Sequence, residues 1–325
     1  MFNLHVSIFQ FLVLFCQVGL QQIVRKIRGP PARTEEDVRD KVVVITGANS
    51  GLGKCTALEM SKRGAVVVMT CRNLTKGIEA RNEIRKISGS HKIELVEMDL
   101  SDMHSVRKCA SQISSKYRII DILINNAGIA IHSPTRQLTP EGNELHFATN
   151  YLGHFMFTNL LLDNIKKSKA GRIVNVSSSA LVLANFSIND LSMDHRGMGI
   201  GNLAPYSNSK FANALFTKEL GERLAGSNVT TFTLCPGLVN TYLSQAYYSD
   251  DGLQNRLVQG VLSLVGLSVE DGADGILYCA LAKGISHTSG QMYRFGRVLT
   301  SVSFILTDSL AKELWKESEK LVRIK

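Results

Sequence analysis

Tyr206-Ser207-Asn208-Ser209-Lys210 places a phenol and an ammonium four residues apart. Pro205 suits the first position of a helix, so both side chains fall on one helix face. Near neutrality a tyrosine alone is a poor proton donor or base, because its ordinary pKa is about 10. A lysine charge beside it favours the phenolate and makes proton exchange with a substrate oxygen feasible. The spacing is common among surface pairs and gains weight only from its companions. Val174-Asn175-Val176-Ser177-Ser178-Ser179 ends an apolar run in hydroxyls, and Asn125-Asn126-Ala127-Gly128, Asp99-Leu100, Pro236-Gly237 and Thr241 follow other apolar runs. Each alone reads as a turn signal. Together they mark the carboxyl edge of one sheet, where open α/β sheets bind ligands.

A second constellation supplies a phosphate cradle. Val42–Thr46 runs into Gly47-Ala48-Asn49-Ser50-Gly51-Leu52-Gly53 and then a helical stretch. A glycine-rich turn between strand and helix lets backbone N–H groups approach a pyrophosphate. The spacing is G-x-x-x-G-x-G and not the G-x-G-x-x-G of the commoner dinucleotide fingerprint. The next apolar run ends Met69-Thr70-Cys71-Arg72-Asn73 with no Asp or Glu to hold a ribose 2′-OH. Arg72, with Lys54, can instead meet a 2′-phosphate, so NADP(H) is expected over NAD(H). The bland alternative is that both are solvated surface charges.

These residues need a scaffold that alternates strands and helices. Strands are expected at Val42–Thr46, Val66–Cys71, Ile93–Met98, Ile119–Ile124, Arg172–Ser177, Val229–Leu234 and Gln291–Phe295. Near-continuous apolar runs suit parallel strands covered on both faces. Helices are expected at Gly53–Arg63, Thr75–Ser88, Met103–Lys116, Leu145–Lys167 and Pro205–Leu224. This alternation predicts an α/β fold: a doubly wound, Rossmann-type parallel sheet in a single domain. The division is residues 1–24 as an apolar membrane anchor, 25–38 as a basic and proline-containing linker, and 39–325 as the catalytic domain. A substrate lobe is expected at about 238–270, where Leu257, Val258, Val261, Leu262, Leu264, Val265 and Leu267 suit a lipophilic substrate or simply a core-facing helix.

Composition sets the outer limits. The 325 residues are 44% hydrophobic and 20% charged, as in ordinary globular proteins. The net charge of +9 is spread along the chain without a basic stripe interleaved with aromatics, which argues against nucleic-acid binding. Six scattered cysteines form no CxxC pair and no metal-ligand cluster, so no metal site is expected and a reducing compartment is favoured. Of four glycosylation sequons, the one at Asn175 lies in a predicted buried strand. Phe2 to Leu20 is apolar but interrupted, is followed by Arg25, Lys26 and Arg28, and lacks a cleavage signal. A spanning anchor and an in-plane helix are both open, with the catalytic domain facing the cytosol. The endoplasmic reticulum is the expected membrane, with a mitochondrial membrane as the alternative.

The set Thr46–Gly53, Asn125–Gly128, Ser178, Tyr206, Lys210 and Pro236-Gly237 resembles the short-chain dehydrogenase/reductase family over nearly all of residues 41–300. Within it, Thr70–Asn73, Asn150–Phe155, Glu270–Ala273, Leu277–Ala282 and Ser289–Tyr293 are similar to the membrane-associated retinol dehydrogenases that use NADPH. The 28-residue separation of Ser178 and Tyr206 agrees with that subgroup. The resemblance implies Tyr206 as general acid/base, with Lys210 lowering its pKa and binding the nicotinamide ribose. It implies Ser178 steadying the substrate oxygen, a slip by one residue staying open, and Asn150 holding a water in the proton relay. The cofactor would lie on Gly47, Asn49, Ser50, Gly51, Leu52, Gly53, Arg72, Asp99, Leu100, Asn126, Ala127, Gly128, Tyr206, Lys210, Pro236, Gly237, Val239 and Thr241. The expected substrate is a lipophilic alcohol or carbonyl, retinol/retinal-like, with reduction favoured. Steroids and fatty aldehydes stay open, because the only tryptophan is Trp315 near the C-terminus. A homodimer is expected by analogy alone. The rival of another class is an idle, membrane-bound scaffold that only binds cofactor.

Overall fold

The computed structural model describes Gln22, Arg25, Gly29 and residues 36–131, 133–195, 203–239 and 266–324. The anchor (apart from Gln22), the greater part of the substrate lobe and Thr241 lie outside the described residues. Among the described residues, no helix is long and apolar enough to cross a membrane.

Seven parallel strands and one antiparallel strand form a single sheet in the order β3-β2-β1-β4-β5-β6-β7-β8. They are β1 (Val42–Thr46), β2 (Val66–Cys71), β3 (Ile93–Glu97), β4 (Ile122–Asn125), β5 (Gly171–Val176), β6 (Val229–Cys235), β7 (Met292–Arg294) and β8 (Arg297–Val298). The helices are α1 (Gly51–Lys62), α2 (Leu74–Ser88), α3 (Met103–Lys116), α4 (Gly153–Lys166), α5 (Ala204–Arg223), α6 (Val269–Leu281) and α7 (Asp308–Val322). Strand order reverses between β1 and β4, and their crossovers leave in opposite directions. The crevice there is where α/β sheets bind ligands.

Side-chain alternation divides the core into two layers. Val43 and Ile45 face the layer of α1, α2 and α6, while Val44 faces that of α3, α4, α5 and α7. All three are fully buried, and each such side chain contributes roughly 1.5–3 kcal/mol. Local signals set the helix ends. Asn73 caps α2 by accepting from Lys76 N at 3.0 Å, and Gly89 closes it in the left-handed region. Ser268 caps α6, with Glu270 and Asp271 in its first turn complementing the dipole. The described cysteines Cys55, Cys71, Cys109, Cys235 and Cys279 are free thiols.

Inside the sheet runs a ladder of buried polar groups. Asn125 and Asn175 are paired in register on β4 and β5, and Asn125 Nδ2 donates to Asn175 Oδ1 at 2.7 Å and to Thr158 Oγ1 at 2.8 Å. Asn175 Nδ2 continues to Thr217 Oγ1 at 2.9 Å on α5. Asn175 is thus spent in the interior, as its sequence context predicts.

Most expected boundaries shift by one or two residues, and three differences are larger. The strand expected from Ile119 begins at Ile122, because Ile120 N turns to the Asn164 carbonyl at 3.1 Å. The helix expected over Leu145–Lys167 is not uniform: Leu145–Phe147 is followed by a π-helical turn, Ala148–Leu152, before α4. Strand β8 has no counterpart in the sequence reading. Two residues carry no periodicity, and its turn depends on Phe295 and Gly296 both adopting positive φ, of 50° and 74°.

At the start of α4, Gly153 lets the helix meet the loop after β3. A Cβ there would land on the Leu100 carbonyl oxygen and 3.0 Å from Leu100 Cβ. Gly153→Ala should therefore destabilise the fold by about 1–3 kcal/mol through overpacking. Urea unfolding checks this, and an unchanged midpoint would show that the close approach is dispensable.

Candidate active site

Two elements build the candidate phosphate cradle, the turn after β1 and the start of α1. Gly47 leaves β1 at φ 64°, and a Cβ on it would sit 2.8 Å from Ala127 Cα. A Cβ on Gly53 would strike the Gly47 carbonyl and Asn126 Nδ2. Both positions therefore need glycine. Ser50 precedes α1 in extended conformation and makes no side-chain cap, and the first turn of α1 has no acidic residue. The opening N–H groups of α1 are left to accept an anion. Asn49 and Leu52 lie on the same turn. A glycine cradle and an uncapped helix start fit a dinucleotide pyrophosphate.

Just past β3, Asp99 accepts from Ser101 N at 2.9 Å and from Ser101 Oγ at 2.6 Å. Its other oxygen is 3.8 Å from Arg72, whose side chain is 71% exposed. Lys54 does not share that freedom, because Glu83 holds its ammonium at 2.6 Å. Both cations read from sequence thus have a carboxylate neighbour, and Arg72 is the more exposed of the two.

Thr46, the last residue of β1, joins this end to the rest. Its Oγ1 accepts from Asn126 N and Ala127 N, both at 2.9 Å, and Asn126 Nδ2 donates to the Thr46 carbonyl at 2.9 Å. These bonds bolt the Asn126-Ala127-Gly128 loop across the switch point. Gly128 in turn lets two polar groups converge, since a Cβ on it would lie 3.3 Å from Asn150 Oδ1 and 3.4 Å from Lys210 Nζ.

Tyr206 and Lys210 lie on the first turns of α5, which opens at Ala204 with Pro205 at its second position. Lys210 is buried, donates to the Val176 carbonyl at 3.0 Å, and sits 5.7 Å from the centroid of the half-buried Tyr206 ring. Burial pushes the Lys210 ammonium down to about 8. Of the three serines after β5, Ser177 is buried and donates to the Lys210 carbonyl at 2.7 Å. Ser179 lies 3.0 Å from Cys235 Sγ. Ser178 Oγ accepts from Ala180 N at 3.2 Å, which leaves its hydrogen to donate.

Asn150 sits in the π-helical turn, a type of distortion frequent at functional sites. Its Oδ1 accepts from Ile129 N at 2.7 Å, and its Nδ2 donates to the Ile129 carbonyl at 3.0 Å and to Ser209 Oγ at 2.9 Å. Ser209 passes its hydrogen to the Tyr206 carbonyl at 2.7 Å. The Asn150 carbonyl accepts from His154 Nδ1 at 2.9 Å and from Asn213 Nδ2 at 3.1 Å. Asn150 therefore acts in this structure as a bracket between the loop after β4 and α5.

After β6, Pro236 leads to Gly237, whose φ is 91° and whose Cβ would meet Leu267 at 3.0 Å and Phe295 at 3.2 Å. Val239 bridges Leu267 in parallel, and Leu267 N donates to the Leu238 carbonyl at 2.8 Å. The expected lobe boundary at residue 270 falls inside α6, which begins at Val269.

Sequence reasoning missed several contributors. His154 enters the sequence reading only inside the Asn150–Phe155 likeness, with no role attached, and Asn213 carries only residue type. Gln22 falls in the expected anchor and Arg25 in the expected linker. Gln22 Nε2 instead donates to the Leu238 carbonyl at 3.0 Å, and the buried Arg25 pairs with Asp271 at 3.2 Å and Asp274 at 3.7 Å. A basic flank gave no signal of this docking, because the acidic partners lie some 250 residues away.

The chain is similar to known proteins over most of its length. The short chain dehydrogenase family matches residues 41–252. Retinol dehydrogenase 12 of Homo sapiens is 36% identical over 320 residues, 98% of this chain and 96% of that protein. Retinol dehydrogenase 11 of Homo sapiens is 37% identical over 279 residues, 86% of this chain and 84% of its own length. The crystal structure of an uncharacterized protein from Mycobacterium paratuberculosis superposes with a TM-score of 0.68 at 33% identity, covering 90% of this chain and 98% of that one. A short chain dehydrogenase from Escherichia coli complexed with NADPH has a TM-score of 0.61 at 20% identity, covering 81% of this chain and 99% of that one, a likeness of fold alone. The glycine cradle, the Asn126–Gly128 loop and the Tyr206–Lys210 pair thus sit in a chain that belongs to the short-chain dehydrogenase/reductase family, an NAD(P)-binding oxidoreductase related to the retinol dehydrogenases.

Proposed function

We propose that the chain interconverts a lipophilic alcohol and its aldehyde or ketone with NADP(H), in the manner of a retinol/retinal pair and with reduction favoured. The observation that carries this is a buried ammonium beside a half-buried phenol, at the same sheet edge as an uncapped glycine loop. When bound, the nicotinamide dinucleotide supplies the hydride acceptor or donor that no side chain provides. Gly47, Ser50, Gly51 and Gly53 would receive its pyrophosphate, and Arg72 its 2′-phosphate. Tyr206 gives a proton to the substrate oxygen in reduction and takes one in oxidation. Lys210 keeps enough positive charge near pH 7 to favour the phenolate, and Ser178 donates to the same substrate oxygen. The curated relatives named as retinol dehydrogenases support the lipophilic class, as does the apolar composition of residues 257–267.

We further propose that residues 1–21 attach the chain to a membrane, with the catalytic residues on its cytosolic side. Support comes from the apolar run and the basic residues after it. Gln22 and Arg25 belong functionally to the enzyme body, since they pack beside Leu238 and α6.

Three outcomes test these readings. Tyr206→Phe should lower reduction of a lipophilic aldehyde by about 100-fold or more while NADPH still binds, as loss of a general acid requires. Unchanged biological function in that variant would favour a cofactor-binding scaffold. Arg72→Glu should weaken NADPH binding by about tenfold or more and leave NADH nearly unaffected. Equal weakening of both in a fluorescence titration would remove Arg72 from the 2′-phosphate site. Removing residues 1–21, with Gln22 and Arg25 kept, should release the protein from membranes while turnover of a water-soluble aldehyde persists. A truncated chain that still floats with vesicles would refute the anchor.

A further inference from the structure

His154 is wholly buried between the dinucleotide loop and the proton-transfer residues, and its bonds admit one arrangement of hydrogens. Thr46 Oγ1 already accepts two backbone N–H groups, from Asn126 and Ala127. Its own hydrogen is left for His154 Nε2, 2.8 Å away, so Nε2 must accept. On the other side, His154 Nδ1 lies 2.9 Å from the Asn150 carbonyl, which can only accept, so Nδ1 must carry the hydrogen. The ring is the neutral Nδ1–H tautomer. Protonation would place a second N–H against the Thr46 hydroxyl. Burial, together with the nearby charge of Lys210, pushes His154 down to about 4. Among the described residues, Lys210 is the charged group that acts on it.

The chain of donors is continuous. Thr46 donates to His154, and His154 donates to the Asn150 carbonyl. The Asn150 amide then holds Ile129 and Ser209, and Ser209 donates to the Tyr206 carbonyl. Asn213, one turn beyond Lys210 on α5, shares the Asn150 carbonyl. We infer that His154 is a positioning residue that aligns Tyr206 and Lys210 with the dinucleotide loop, acting through Asn150. This inference rests on the hydride-transfer chemistry proposed for Tyr206 and Lys210. His154 touches no reacting atom in this role. Its contribution is to hold the kinked turn at the spacing the proton transfer needs, and a displacement on the order of 1 Å there costs about 100-fold in rate.

The test uses the full-length chain. His154→Phe removes both bonds and should lower kcat for aldehyde reduction about 10- to 100-fold, with the aldehyde KM and the NADPH dissociation constant within about threefold of wild type. His154→Asn can place its Nδ2 where Nδ1 lies and should bring kcat back to within about threefold. His154→Gln, which reaches the Nε2 position instead, should not. A merely structural role would lower the melting temperature and leave kcat per folded site intact, and that result would overturn the inference. Should the Phe variant fail to fold, the Asn and Gln variants carry the comparison. Histidine side-chain ¹⁵N spectra of the wild-type chain give a readout independent of turnover. Nδ1 should be protonated and Nε2 bare at pH 6, and the opposite tautomer or an imidazolium would overturn the arrangement. If wild type turned over no carbonyl while these spectra came out as expected, the hydride reading would fall and the His154 geometry would stand.

Discussion

Thr46 Oγ1 receives two adjacent backbone N–H groups from the loop after β4 and gives its own hydrogen to His154, so three chain segments meet on one buried oxygen. The need for such a group follows from topology. At the switch point the chains leaving β1 and β4 turn away from each other, and Ala127 N, past the end of β4, bonds the Thr46 hydroxyl in place of a neighbouring strand. Orphaned there, it would carry a desolvation penalty of roughly 1–3 kcal/mol. One threonine hydroxyl satisfies it, shares the Asn126 amide with the Ile124 carbonyl, and thereby sets how far the glycine loop stands from the Asn126-Ala127-Gly128 loop. The tight contact of Gly47 with Ala127 follows from that spacing.

The opposite half of the crevice is governed by a buried charge. Lys210 is almost entirely removed from water, and the described partner of its ammonium is a carbonyl, that of Val176, with no carboxylate. An ammonium so placed gives up part of its preference for the proton, which is why burial lowers it to about 8. A carboxylate partner would have stabilised the lysine more but cancelled its field at Tyr206. The neutral arrangement leaves that field directed at the phenol. The surrounding polar groups, Asn150, Ser209, Asn213 and the neutral His154, add hydrogen bonds without adding charge.

The sequence reveals this architecture where periodicity and spacing are strong. The parallel strands and their helices are legible because β-branched runs such as Val42–Thr46 alternate with stretches of helical length, and the Tyr206–Lys210 pair because helix pitch places both side chains on one face. What was not legible depends on tertiary partners. A π-helical turn at Ala148–Leu152 leaves no compositional trace, and the role of His154 exists only once Thr46 and Asn150 flank it. Lys54 shows the reverse case. Its position beside the glycine loop suggests a phosphate ligand, yet Glu83 on the facing helix α2 holds it. Arg25 likewise reads as a solvated flank until α6 brings Asp271 and Asp274 against it.

The amide pair inside the sheet has a consequence for assembly. β4 is four residues long, and its Ile122, Leu123 and Ile124 differ little in volume, so shape alone discriminates weakly between neighbouring registers of that strand. A slip by one residue would turn Asn125 and Asn175 to opposite faces and break the buried bond between them. Misaligned pairings are penalised by that mismatch, and the ladder acts as an indexing mark between the two strands. Asn126 and Ser178 follow within three residues of those marks. The relative height of the loops that carry Asn126 and Ser178 is therefore fixed inside the sheet.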